Sequence, residues 1–226
     1  MTFKNRAVNA ILRVILRTAC RTELSQLDKV PQQGPMIIAV NHINFLEVPM
    51  IASHVQPKPL TAFIKAETWQ NPLLAWLFDT WGGIPLHRGE GDLTAFRVAE
   101  RALADGRLLA IAPEGTRSPT ASLQRAHPGI VLLAQRTGAP ILPLVYYGHE
   151  DIKRNLKRLR RTPFYVAVGD PFTLVLPERP SADERQTVAD EIMCRLAELL
   201  PEKYRGVYAD LSQASSHYLA PLDPQL

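Results

Sequence analysis

The chain has 226 residues, of which 46% are hydrophobic and 21% charged. That is enough apolar sequence for one substantial core, and it lies outside the compositions of disordered or collagenous chains. Lys and Arg total 26 against 22 Asp and Glu, a net charge of +4, which suits an anionic membrane surface or a phosphate-bearing substrate and is too mild to imply nucleic acid. Cys20 and Cys194 lie far apart in segments that read as helical, which argues against a disulfide framework or a metal cluster and fits a reducing, cytoplasmic setting.

Residues 3 to 21 place Phe3, Ala7, Val8, Ile11, Leu12, Ile15 and Ala19 at helical spacing with Lys4, Arg6, Arg13, Arg17 and Arg21 between them. The pattern is a basic amphipathic helix for a membrane surface, or else a packing helix whose arginines face water. No run of about 18 apolar residues predicts a spanning helix, and no small-residue cleavage site predicts a secretory signal. KVPQQGP supplies a turn, and MIIAVN (Met36 to Asn41) reads as a buried strand, followed by a helix from about Glu47 to His54. LTAFIK is a second strand, Asn71 to Trp81 a short apolar helix, Asp92 to Ala104 a helix, and LLAIAP (Leu108 to Pro113) a third strand. Gly129 to Thr137 reads as a helix, ILPLVYY (Ile141 to Tyr147) as a strand, and Phe164 to Val175 as a hairpin-like pair around Asp170-Pro171. Ser181 and Glu184 have capping-box spacing at the head of a helix running to Leu200. The alternation predicts an α/β fold: a single domain with a mixed, mostly parallel sheet flanked by helices, preceded by the N-terminal helix. The expected divisions are an amphipathic segment over 1–30, the domain over 31–210 and a tail over 211–226.

Ligands of open α/β sheets gather beyond the carboxyl ends of strands. Two strands end in chemically capable residues here: MIIAVN delivers His42, and LLAIAP delivers Glu114, Gly115, Thr116 and Arg117. His42 and Glu47 cannot meet on a continuous helix, where five residues rotate the side chains about 140° apart. They meet if His42 stands in the turn and Glu47 in the first helical turn. A carboxylate there fixes the imidazole tautomer, so that the other ring nitrogen can take a proton from a hydroxyl. PEGTRS combines exposed backbone N–H groups with a hydroxyl and a guanidinium, a set suited to phosphate or else a polar turn with a surface ion pair, and Arg88 in GGIPLHRGEG either reaches the same anion or is a solvated surface residue. His54, His149 and His217 have no ligand-like spacing, so no metal is assigned.

The ordered blocks NH-x4-acid, G-x-IP-x-x-R, PEGTRS and the proline-bearing apolar segment around Pro143 resemble the glycerolipid acyltransferase family typified by 1-acylglycerol-3-phosphate acyltransferases. The resemblance covers about Pro35 to Gly148, with a weaker echo in PEKYRGVYAD. It implies that His42 is a general base activating an acceptor hydroxyl for attack on an acyl thioester, and that Glu47 orients it. It also implies that Arg88, Gly115, Thr116 and Arg117 bind the acceptor's phosphate, with Glu114 shaping that pocket, and that Pro143 packs near the acyl donor. No bound cofactor is expected; acyl-CoA or acyl carrier protein would be the co-substrate, a lysophospholipid the acceptor, and the cytoplasmic face of a membrane the peripheral location.

Two departures bear on this. Glu47 stands where the family has aspartate, and Pro128 in RAHPGI stands where many members have lysine. They leave open a non-phosphate lyso-lipid acceptor, or a lipid-binding relative whose catalysis has weakened. TWQNPLLAWLFDTW, which holds all three tryptophans, is either a membrane-dipping element or core; the run KRNLKRLRR is either a lipid- or coenzyme-facing patch or a solvated helix face.

Overall fold

A computed structural model of the protein describes residues 3–55, 57–87 and 92–222. The helices are α1 (Phe3–Ala19), α2 (Glu47–Val55), α3 (Pro72–Trp81), α4 (Leu93–Ala104), α5 (Gly129–Thr137), α6 (Ile152–Lys157) and α7 (Ala182–Leu199). The strands are β1 (Cys20–Glu23), β2 (Met36–Val40), β3 (Leu60–Lys65), β4 (Ile84–Leu86), β5 (Leu108–Ile111), β6 (Ile141–Tyr147), β7 (Thr162–Val168), β8 (Phe172–Leu174) and β9 (Leu219–Pro221). They form one sheet in the order β1-β7-β6-β2-β5-β3-β4, with β8 on β6 and β9 on β8. Strands β6, β2, β5, β3 and β4 run parallel, and β7 and β8 antiparallel to β6.

Strand β2 is central, with every residue buried, because helices cover both faces of a parallel sheet. Its side chains alternate between two cores. Ile37 and Ala39 join the layer of α4, α5 and α7, while Met36, Ile38 and Val40 join the layer of α1 and α2. Ser181 caps α7 with the predicted reciprocal pair, accepting from the Glu184 N–H at 3.1 Å while Glu184 accepts from the Ser181 N–H at 2.7 Å.

The expected hairpin over 164–175 is instead one strand broken by a bulge. Strand β7 pairs with β6 as far as Leu144 opposite Val168, and β8 resumes along β6 with Ile141 opposite Phe172, one residue out of register. The break falls at Pro143. Its carbonyl accepts from the Gly169 N–H at 3.0 Å, but proline has no N–H to return the bond, so the ladder cannot continue in register. Gly169 is required there, since a Cβ on it would lie 2.9 Å from the Pro143 ring.

Two further elements differ from expectation. Strand β1 lies parallel to β7 at the sheet's edge, although CRTE has no strand-like pattern of its own. The segment read as a tail supplies β9, whose Leu219 to Pro221 pair with β8, so the sheet extends past residue 211. Helix α1 packs on α2 through Leu16 and buries Asn9, while Ile11, Val14 and Ile15 are exposed. It therefore has an apolar residue set on its outward side as well as a docked side. No helix among the described residues is long and apolar enough to cross a membrane.

Candidate active site

The carboxyl ends of β2 and β6 converge on one group, the carboxylate of Glu47. As the first residue of α2, Glu47 turns back toward the loop that precedes it. One oxygen, Oε1, accepts from the backbone N–H groups of Ile43 at 2.8 Å and Asn44 at 2.7 Å. The other, Oε2, pairs with Nδ1 of His42. The same Oε1 also accepts from Nε2 of His149 at 2.7 Å. Residues 42 to 47 thus wrap around a carboxylate that is only 3% exposed, and the predicted meeting of His42 in the turn with Glu47 in the first helical turn is the observed geometry. Burial would raise the Glu47 pKa, but the hydrogen bonds from His149 and His42 prevail and hold it at about 2. Because an ionised carboxylate only accepts, Nδ1 of His42 carries its proton and Nε2 keeps a lone pair. Nε2 has no hydrogen-bond partner among the described residues, and the His42 side chain is 20% exposed.

Two asparagines tie this loop to the end of β6. Asn41 donates to the carbonyl of Tyr146 at 2.9 Å and accepts from its N–H at 2.8 Å, and Asn44 donates to the carbonyl of His149 at 2.9 Å.

Glu114, at the end of β5, is 2% exposed and faces inward. Its two oxygens accept from the backbone N–H groups of His42 and Gln124, each at 3.0 Å, so it joins the His42 loop to the segment after PEGTRS. The buried carboxyl thereby positions the backbone of His42. Burial pushes its pKa up to about 7 against the two backbone N–H groups.

Gly115, Thr116 and Arg117 form the exposed side of the same turn. The turn adjoins His42, whose carbonyl accepts from the Ser118 N–H at 2.8 Å. Gly115 has φ of +66°, and a Cβ there would lie 3.1 Å from Cδ2 of His127, so glycine serves both the turn and the neighbouring imidazole. PEKYRGVYAD packs against this region through the Leu123 N–H to the Tyr204 carbonyl at 2.9 Å. Pro143 lies mid-strand against Gly169 and is not among the residues lining the cavity beside His42; its effect is on the ladder. Arg88 lies outside the described residues.

His42 and Glu47 stand at one end of an apolar cavity of about 110 Å³ between the sheet and helices α2 and α3, lined by Val40, Ile51, Phe63, Phe78 and Trp81. Trp81 is buried, and its Nε1 donates to Asn9 of α1 at 3.0 Å, whereas Leu73 and Trp76 on the same helix are exposed. The tryptophan-rich segment is therefore both core and surface. Sequence reasoning missed His149 and the two asparagines. The signal for His149 was present, since like His42 it follows the carboxyl end of a strand.

A histidine paired with a buried carboxylate at the strand ends, with its other ring nitrogen free beside an apolar cavity, can accept a proton there. The family model described as Acyltransferase matches residues 21–147, more than half of the chain, and the chain belongs to that family. A lyso-ornithine lipid O-acyltransferase of Pseudomonas aeruginosa is 32% identical over 149 residues, covering 59% of this chain and 56% of that protein, so the match spans little more than half of the relative. A 1-acyl-sn-glycerol-3-phosphate acyltransferase of Bacillus subtilis is 23% identical over 190 residues, covering 83% and 92%. Among solved structures, the 1-acyl-sn-glycerophosphate acyltransferase of Thermotoga maritima has the same fold, with a TM-score of 0.57 at 23% identity over 85% of this chain and 80% of that one.

Proposed function

We propose that the chain transfers an acyl group from an acyl thioester to the free hydroxyl of a lyso-lipid. The single observation that carries this reading is the pairing of His42 with buried Glu47 at the end of an apolar cavity. Nε2 of His42 takes the hydroxyl proton as the oxygen attacks the thioester carbonyl. The C–O bond forms and the carbonyl π pair moves to oxygen. As that pair returns, the C–S bond breaks, and the departing thiolate takes the proton from the imidazolium. Glu47 offsets the imidazolium charge during the interval. No covalent acyl-enzyme is needed.

The acceptor in this reading is an anionic lysophospholipid of the 1-acylglycerol-3-phosphate type. Arg117 is exposed without an acidic partner among the described residues, and His127 lies over the adjacent glycine. A second acceptor, a lyso-ornithine lipid, is favoured by Pro128 at the lysine position and by the activity named for the Pseudomonas relative. Lipid access is from a membrane surface. Ile11, Val14 and Ile15 of α1 and Leu73 and Trp76 of α3 are exposed apolar groups on two helices joined by the Asn9–Trp81 bond. Arg161 donates to the carbonyl of Arg17 in the last turn of α1 and to that of Cys20, which sets the end of the basic run 153–161 against the C-terminus of α1 for anionic head groups.

The test is thiol release by the purified protein with acyl-CoA or acyl carrier protein donors and a panel of lyso-acceptors. Release that depends on one acceptor class and vanishes in His42→Ala supports the reading; no release with any pair opposes it.

A further inference from the structure

His149 is 0% exposed, stands 102 residues from Glu47 in sequence, and lies on the side of the carboxylate opposite His42. Its Nε2 must carry the proton, since Glu47 Oε1 only accepts. Nδ1 of His149 is buried without a hydrogen-bond partner among the described residues, and the ring lies 4.5 Å from the Phe164 ring, centroid to centroid. A second proton, on Nδ1, would be a buried donor with no acceptor, which is costly. The two histidines sharing one carboxylate are therefore not equivalent: His42 is partly exposed and free to gain a proton at Nε2, whereas His149 is a fixed donor.

The donor also bears on the glutamate itself. A glutamate has one more rotatable bond than an aspartate, and only a constraint on the far oxygen keeps the near one aimed at an imidazole. That constraint is threefold here: the N–H groups of Ile43 and Asn44, and His149 Nε2. The two backbone groups belong to the loop that itself carries His42, so they move with it. His149 follows the end of β6, the strand beside β2, which makes it the one donor to this carboxylate that comes from outside that loop.

We propose that His149 is a positioning residue that locks the Glu47 carboxylate, so that a glutamate can orient His42 for proton transfer. The proposal rests on the acyltransfer reading for its kinetic consequence but not for its structural one, and two measurements separate them. The first is ¹⁵N NMR of the histidine side chains in the full-length protein, which needs no substrate. In wild type it is expected to show His42 as the Nδ1–H tautomer and His149 as the Nε2–H tautomer, and in His149→Phe to show His42 as a mixture of tautomers. The second is thiol release by His149→Phe and by His149→Gln, whose side-chain amide can still donate to Oε1. The expected result is a fall in kcat of about tenfold in the Phe variant, the scale seen when a partner that orients a functional ligand is removed. KM for donor and acceptor should stay within about twofold, and most of the lost kcat should return in the Gln variant.

The proposal is overturned if wild-type His149 carries its proton on Nδ1, if His42 remains one tautomer in His149→Phe with kcat unchanged, or if the Gln variant falls as far as the Phe variant. If the Phe variant does not fold, the wild-type tautomers and the Gln variant still decide it. If no donor and acceptor pair releases thiol, the functional reading fails, and the tautomers continue to test His149.

Discussion

Replacing Glu47 by aspartate puts in the residue that the sequence resemblance leads one to expect there, and the structure predicts that this lowers activity. The substitution withdraws the carboxylate by about 1.5 Å, one carbon–carbon bond. In the native site the carboxylate accepts from Ile43, Asn44 and His149 at 2.7 to 2.8 Å and pairs through its second oxygen with His42. A group drawn back by that distance cannot hold both imidazoles: keeping one contact near 2.8 Å leaves the other beyond hydrogen-bonding range. Loss of one or two charged hydrogen bonds, each worth about 1.5–3 kcal/mol, costs the fold about 2–4 kcal/mol after partial relaxation. Misplacing the base by about 1 Å costs about 10²-fold in rate. The assay is continuous thiol release at saturating donor and acceptor, with thermal unfolding of the same preparation. Wild-type or faster turnover in Glu47→Asp, with unchanged thermal stability, would refute the reasoning, because it would mean that the four-donor site around the glutamate contributes nothing.

Further predictions concern pH, the acceptor and the surface. Glu47 ionises at about 2 in the folded chain against 4.5 for an unperturbed group, so its contribution of about 3 kcal/mol is present above pH 4.5 and lost as pH falls toward 2. Glu114 has the opposite sign: the folded carboxyl keeps its proton up to about 7, so its contribution to stability declines as pH rises from about 4.5 to 7. Urea unfolding of wild type and Glu114→Gln at several pH values should show that slope only in wild type. Arg117→Ala should raise the KM of a phosphate-bearing acceptor about tenfold or more with little effect on the donor; equal effects on both would remove Arg117 from the acceptor site. Ile11→Asp with Ile15→Asp should weaken cosedimentation with anionic vesicles while leaving turnover of a detergent-dispersed acceptor intact; unchanged cosedimentation would contradict the membrane-facing role of α1.

Much of the fold was legible because its central strands are short apolar runs with turn residues between them, and those runs place His42 and Glu114 at strand ends. The contact between His42 and Glu47 was legible for the same reason, since the turn after β2 is local. What sequence could not supply were pairings made over long separations. The strand end before His149 marks it as a candidate, but its pairing with Glu47, 102 residues earlier, is a tertiary contact, and a buried carboxylate with several donors reads in sequence like any other glutamate. Glu114 reads in PEGTRS as part of a polar phosphate loop, and the burial that turns its carboxylate inward is a tertiary property. The bulge between β7 and β8 depends on which edge of β6 Pro143 presents to its neighbour. The amphipathic pattern of α1 was visible, but which side docks was decided by Leu16 and by the bond from Trp81 to Asn9.

The most direct measurement of the central claim is turnover of His42→Ala beside wild type, by thiol release from an acyl thioester with a lyso-lipid acceptor, on protein whose folding is checked by thermal melting. The account predicts a folded variant whose kcat falls at least 10²-fold, the lower range for loss of a general base. A folded variant that turns over at the wild-type rate would contradict it.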